Sequence, residues 1–139
     1  MRLVIDTNIL VSALLSDTSL PAHQITLWRG GRFELLTSAI QIDELKRVTR
    51  YPEIKARVAP TLAGQLINEL REIALTLDAL PTITVCADPY DNYLLAITTV
   101  GAADFLVTGD KQDLLGMNLY LGTRIISVRE FLVMHRQLP

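Results

Sequence analysis

Apolar positions along the chain change period repeatedly, and each change predicts an element. Leu3-Val4-Ile5 is a short β-branched apolar run that ends on Asp6-Thr7-Asn8, the pattern of a buried strand running into a turn. A short helix follows through Leu15. Residues 16–21 read as a loop, and Pro21 suits the first turn of a second helix that stops at Gly30-Gly31. Residues 33–37 are a second predicted strand. Ser38 and Gln41 have capping-box spacing and open a helix over 39–49. Tyr51-Pro52 breaks that helix, and a short helical excursion between prolines follows. Leu62, Leu66, Leu70, Ile73 and Leu77 recur at helical spacing and predict an amphipathic helix over 61–77. Residues 82–87 are a third predicted strand. Asp88-Pro89 opens a helix ending near Gly101, residues 104–108 and 124–127 are the fourth and fifth strands, and Ser127 with Glu130 caps a last helix to about Gln137.

Strands and helices alternate from end to end. That order predicts a single α/β domain over 1–139, with a mainly parallel sheet covered on both faces. The proline-bounded segment 50–61 is the place for an insertion or a mobile arm.

Composition narrows the picture. Half of the 139 residues are apolar, enough for a sizeable core and against disorder. A formal net charge of −2 does not imply strong non-specific affinity for nucleic acid, although it leaves room for a local basic patch. Cys86 stands alone, so no intramolecular disulfide forms, which fits a reducing cytoplasm. Asp6 and Asn8 interrupt the first apolar run too early for a signal peptide, and no run approaches the roughly 20 residues that span a membrane.

In doubly wound sheets the site lies beyond the carboxyl ends of the strands. Acids follow the strand exits here: Asp6 after the first, Glu44 one turn into the helix after the second, Asp88 and Asp91 after the third, Asp110 and Asp113 after the fourth. Lys111 is the one lysine near them. Each acid also has a purely structural reading. Asp6 can cap its helix, as Thr7 or Asn8 also can. Asp88 before Pro89 is an N-cap candidate, and Asp91 then occupies the first turn, where the helix dipole favours a negative charge. Glu44 lies off the Ile42–Leu45–Thr49 face of its helix and suits solvent as well as a cleft. Asp110 follows Gly109 in a turn, and Asp113 can cap the segment after it. Together, carboxylates converging without bases would repel and raise each other's pKa, and a divalent cation relieves that repulsion. Oxygen-only ligation suits Mg²⁺ or Mn²⁺ rather than zinc, and points to metal-assisted phosphodiester hydrolysis.

The blocks "VIDTNILVSAL", "LLTSAIQIDEL", "DPYDNYLLAI", "FLVTGDKQDLL" and "IISVREFL" resemble the PIN-domain family. More narrowly, the chain is similar to the small prokaryotic VapC-like toxins of toxin–antitoxin systems. The resemblance covers nearly the whole chain. It implies a five-stranded parallel sheet of order 3-2-1-4-5 and a Mg²⁺- or Mn²⁺-dependent ribonuclease. Its acidic quartet, catalytic and metal-ligating, maps onto Asp6, Glu44, Asp91 and Asp110. Asp91 is preferred to Asp88 because "DNYLLA" matches the helix that carries the family's third acid. Asn8 and Thr108 are supporting residues. Asp113 is an outer-shell candidate, since Gln112 shifts it one place from the family's usual spacing. The family also implies a cognate antitoxin, a homodimer and an RNA substrate, with no membrane partner.

Arg47, Arg50 and Lys111, with Arg29, Arg32 and Lys46, are candidates for an RNA path, or simply solvated faces. His23 and His135 read as ordinary histidines, Cys86 as core, and Trp28 as core or subunit interface. Two other classes of function compete. A phospho-acceptor receiver domain wants paired acids at the first strand and a lysine after the last; the chain offers one acid and "SVRE". A catalytically quiet module would keep the fold and bind RNA or protein without turnover. A DNA-directed nuclease is a variant of the leading reading.

Overall fold

The computed structural model describes residues 1–109 and 113–137. In chain order the elements are β1 (Arg2–Ile5), α1 (Thr7–Leu15), α2 (Leu20–Arg29), β2 (Glu34–Thr37), α3 (Ala39–Val48), α4 (Pro52–Lys55), α5 (Pro60–Glu72), β3 (Leu75–Thr76), α6 (Pro89–Gly101), β4 (Phe105–Val107), α7 (Leu114–Met117), β5 (Leu119–Tyr120), β6 (Thr123–Ile126) and α8 (Val128–Met134). The sheet order is β3-β2-β1-β4-β6-β5. β1 pairs in parallel with β2 on one side and with β4 on the other, so the first strand of the chain is central.

Both faces of the sheet are buried, which explains the unbroken apolar runs in the strands. Along β1, Leu3 and Ile5 enter one core with Leu35, Val107, Ile126, Trp28 and Phe131. Val4 faces the other way and packs with Leu36, Leu106, Ile125 and the α6 residues Leu94, Leu95 and Ile97. Trp28 is therefore core. α6 ends close against the sheet at Gly101, where a side-chain methyl would press into Leu36 and Leu77.

Five parallel strands keep the expected order, but two expectations are corrected. The sheet has a sixth strand among the described residues: β5 pairs antiparallel with β6 through Leu119↔Arg124 and Tyr120↔Thr123 and forms an edge. The third strand is not 82–87. α5 stops at Glu72 with Ile73 as its C-cap, and the next turn of the supposed helix is β3, paired with β2 through Leu36↔Leu75 and Thr37↔Thr76. Ile73 is exposed and Leu77 packs against the α6 core, so the apolar spacing carried on past the end of the helix. Residues 82–87 form irregular chain in which Ile83 and Cys86 still pack partly against the α6 core. Asn92 holds that chain in place: its Oδ1 accepts from Cys86 N at 2.7 Å and its Nδ2 donates to Cys86 O at 2.8 Å. The last helix is also shorter than expected, with His135 as its C-cap.

The capping signals fare differently. Ser127 and Glu130 form the reciprocal box. Ser38 caps α3 by accepting from Gln41 N, but the Gln41 side chain turns inward instead. Its Nε2 donates to Ile5 O at 2.6 Å and to Thr7 Oγ1 at 3.4 Å, and its Oε1 accepts from Thr37 Oγ1 at 2.7 Å. This buried amide ties the carboxyl ends of β1 and β2 together above α3. No helix among the described residues is long and apolar enough to cross a membrane.

Gln24 makes an internal comparison possible. It is as buried as Gln41, yet neither its Oε1 nor its Nε2 has a protein partner among the described residues. Replacing a networked amide strands its partners at about 1–3 kcal/mol each, whereas replacing an unpartnered one strands nothing. Gln41→Met strands Ile5 O and Thr37 Oγ1 and is therefore expected to lower the unfolding free energy by about 2–6 kcal/mol. Gln24→Met is expected to leave it unchanged or raise it. Urea unfolding of the two variants beside the wild type checks the contrast.

Candidate functional site

Asp6 closes β1 and caps α1. Its backbone N–H donates to Val107 O at 2.9 Å, extending the β1–β4 pairing by one residue. Its side chain is only 3% exposed. Burying a carboxylate is costly unless it is hydrogen-bonded. Oδ1 accepts from Asn8 N at 3.0 Å and from the Tyr90 hydroxyl at 3.0 Å, and Oδ2 accepts from the Thr108 hydroxyl at 2.8 Å. The amino end of α1 adds its positive partial charge. A carboxylate has about four acceptor positions, and these bonds fill all but one, on Oδ2.

The Tyr90 hydroxyl is itself fixed, because it accepts from Thr7 N at 2.9 Å. Its proton is thereby committed to Asp6. Burial first, then the Asp6 charge, pushes the Tyr90 phenol far above the usual range, so it remains a donor at any physiological pH. Tyr93, one turn on, is raised mainly by burial, and its hydroxyl lies 2.7 Å from Ser38 Oγ at the start of α3. The two tyrosines thus join α6 to the amino ends of α1 and α3.

α6 begins as its sequence predicts. Asp88 accepts from Tyr90 N at 2.9 Å and Pro89 occupies the first turn, so Asp88 is a cap. Asp91 follows in that turn and is 4% exposed. Asp6, Asp88, Asp91 and Asp113 line one open cleft of about 590 Å³, together with Asn8, Ser12 and Tyr90. No lysine, arginine or histidine is among its described lining residues.

Glu44 stands beside this cleft rather than in its wall. It is half-buried on α3, and its carboxyl is raised above the ordinary value of 4.5. Burial is the main cause; Arg47, 3.9 Å away, opposes it, and the charges of Asp6 and Asp88 reinforce it. The neighbouring acids are thus a lesser cause of the elevation at Glu44 than its burial.

The predicted site residues divide as follows. Asp6, Asp91, Asn8 and Asp113 share the cleft, Thr108 donates to Asp6, and Glu44 feels its charge. Arg47 sits with Glu44, and Arg50 lines a different cavity. Asp110 and Lys111 lie outside the described residues. Among the described residues no three His, Cys, Asp or Glu side chains come close enough to hold a metal ion. Cys86 is half-buried in irregular chain, not in a strand. Tyr90, Tyr93 and Gln41 escaped sequence reasoning as site residues. The signal available for Tyr90 was its place between the Asp88-Pro89 cap and Asp91.

Compared with known families, residues 2–112, well over half of the chain, match the model described as PIN domain. No curated protein and no solved structure gives a match.

Glu44 makes stability depend on pH. Its pKa in the fold lies above the 4.5 of the free side chain, so protonation favours the folded state. The charge costs stability once pH rises through the folded pKa, and that cost is absent below 4.5. Without divalent cations, Glu44→Gln is expected to melt above the wild type at neutral pH, with the difference closing as pH falls below 4.5. Thermal melts from acid to neutral pH measure it.

Proposed function

The chain belongs to the PIN-domain family, and from that premise we propose that it is a metal-dependent endoribonuclease that hydrolyses RNA phosphodiester bonds, the toxin of a toxin–antitoxin pair. PIN domains are generally nucleases, which makes hydrolysis and nucleic-acid binding the starting point. The observation that carries the reading for this chain is the cleft in which Asp6, Asp88, Asp91 and Asp113 gather with no basic side chain among the described lining residues. Several carboxylates gathered in one cleft suit a hard cation better than they suit any neutral ligand.

The donor set fits a hard divalent ion, Mg²⁺ or Mn²⁺. Asp6, through its remaining Oδ2 position, and Asp91 would hold it, with Glu44 and Asp110 completing the set. When bound, the ion lowers the pKa of its water, polarises a phosphoryl oxygen and stabilises the leaving oxygen. The chain's own part is positional. Thr108, Asn8 and Tyr90 orient the Asp6 carboxylate, and the amino ends of α1 and α6 lower the cost of concentrating acids. Glu44, with a carboxyl above its ordinary pKa, is suited to exchange a proton with water at the edge of the cleft. Asp113 supports the set from its rim. Arg47, Arg50 and Lys111 attract the RNA backbone. The resemblance to VapC-like chains supports a cognate antitoxin, a homodimer, one domain over 1–139 and a cytoplasmic setting.

One observation favours a second reading, a quiet module that binds RNA or protein without turnover: no described group of three acids is close enough to hold a metal. The test separates the two. Wild type, Asp6→Asn and Asp91→Asn are prepared identically and incubated with a labelled, unstructured RNA in Mg²⁺ or Mn²⁺. The wild type is expected to cut, chelator to abolish cutting, and each variant to be slower by about 10²-fold or more. Stoichiometric RNA binding with no cleavage in any divalent metal would establish the quiet module.

A further inference from the structure

A second cavity, of about 410 Å³, lies between α3, α4 and α5. Lys46, Arg50, Lys55 and Arg71 line it, and no acid is among its described lining residues. Its floor includes the buried side chains of Val58 and Ile67. The chain as a whole has 13 lysines and arginines against 15 acids, so this is a marked local separation of charge.

Three arginines outside the cavity pair with carboxylates among the described residues. Arg29 bonds to Glu69 through two nitrogens, Arg2 approaches Glu34, and Arg47 approaches Glu44. The four cations of the cavity take part in no ion pair among the described residues. Helix ends explain part of this, since Lys46 and Arg71 lie in the last turns of α3 and α5. Each helix carboxyl end contributes roughly half a negative charge, so about three of the positive charges remain uncompensated.

Position on α3 links this cavity to the acidic cleft. At about 100° per residue, Arg47 lies roughly 60° around the helix from Glu44, and Lys46 about 100° further in the same sense. Arg50 follows just beyond the C-cap Thr49. Arg47 is the exposed step between them, with 65% of its side chain in solvent. A band of cations therefore runs from the edge of the acidic cleft, around the carboxyl end of α3, into the basic cavity.

We infer that this cavity is an anchor for the backbone of single-stranded RNA, holding phosphates at a distance from the bond to be cut. The inference rests on the ribonuclease reading for its choice of polymer. A phosphodiester chain matches both the extended band of positive charge and a cavity that offers guanidinium groups at its rim and apolar surface at its floor. Guanidinium groups grip phosphate oxygens through paired hydrogen bonds. A compact anion would use the cavity but not the band.

The test measures binding without turnover. A fluorescent oligouridylate is titrated in chelator over a series of KCl concentrations, and log Kd is plotted against log salt. Arg50→Gln/Lys55→Gln/Arg71→Gln is expected to lower the slope by about two, at roughly 0.7 for each phosphate left without its cation, and to weaken binding about tenfold or more at roughly 100 mM salt. Arg50→Lys/Arg71→Lys keeps the charge and is expected to keep the slope; melting curves confirm that both variants fold. An unchanged slope in the triple glutamine variant overturns the inference. So does loss of poly-glutamate binding with RNA binding intact, which would assign the cavity to an acidic protein segment. RNA that binds with the predicted slope change, yet is never cut in any metal, supports the anchor and counts against the nuclease. Cleavage with an unchanged slope does the reverse.

Discussion

The structure turns on one buried carboxylate. Asp6 receives Asn8 N, the Tyr90 hydroxyl and the Thr108 hydroxyl, and these come from its own helix, from α6 and from the end of β4. Without them, a nearly inaccessible negative charge at the end of the central strand would be untenable. With them, the same charge fixes the height of α6 against β1 and the exit of β4. Asp91 is carried to the cleft because Tyr90, its neighbour, is held to Asp6. Thr7 closes the arrangement by donating to that tyrosine, and Gln41 supports it from below through Ile5 O. The cleft is held in shape by hydrogen bonds to one acid, Asp6.

The nearly neutral total conceals a strong internal polarity. On one side of α3 lies a cleft lined by aspartates; on the other lies a cavity lined by lysines and arginines. Each would be unfavourable in isolation, the first by repulsion among anions and the second among cations. A polyanion with an associated divalent ion relieves both, because it brings positive charge to the cleft and negative charge to the cavity. The separation also limits direct collapse of the two sets onto each other, since the body of α3 stands between them. Glu44 and Arg47 are where they touch, at 3.9 Å.

What the sequence made legible follows from how local each signal is. β1, β2, β4 and β6 were readable because both faces of the sheet are covered, which writes them as short continuous apolar runs. Asp88-Pro89 and Ser127 with Glu130 were readable because caps act within a few residues. β3 was not, since two exposed residues paired at an edge carry no periodicity, while the leucine spacing of α5 ran on through them. Residues 82–87 have strand composition, but α6 gave them a surface to lie on without a strand to pair with. Asp6 was legible at the exit of β1, whereas Asp88 and Asp91 follow irregular chain and not the strand expected at 82–87. That Gln41 would desert its capping box for Ile5 O, or that Tyr90 would reach Asp6, depends on contacts more than 30 and 80 residues apart in sequence. No local pattern encodes them.

The central position of β1 has a consequence for the order in which the molecule is made. Of the strands in this sheet, the one that leaves the ribosome first is the one whose second neighbour, β4, begins at Phe105. Tyr90 and Thr108, the two hydroxyls that hold Asp6, are likewise among the later residues to emerge. An unfinished chain can pair β1 with β2 and cover one face, yet it carries Asp6 without those partners and without the opposite wall of the cleft. Long-range parallel pairing of this kind is slow to form. The partners of Asp6 are thus complete only after the chain has reached Thr108. Under the proposed ribonuclease reading, a growing polypeptide would therefore lack its acidic centre until most of the domain has been translated.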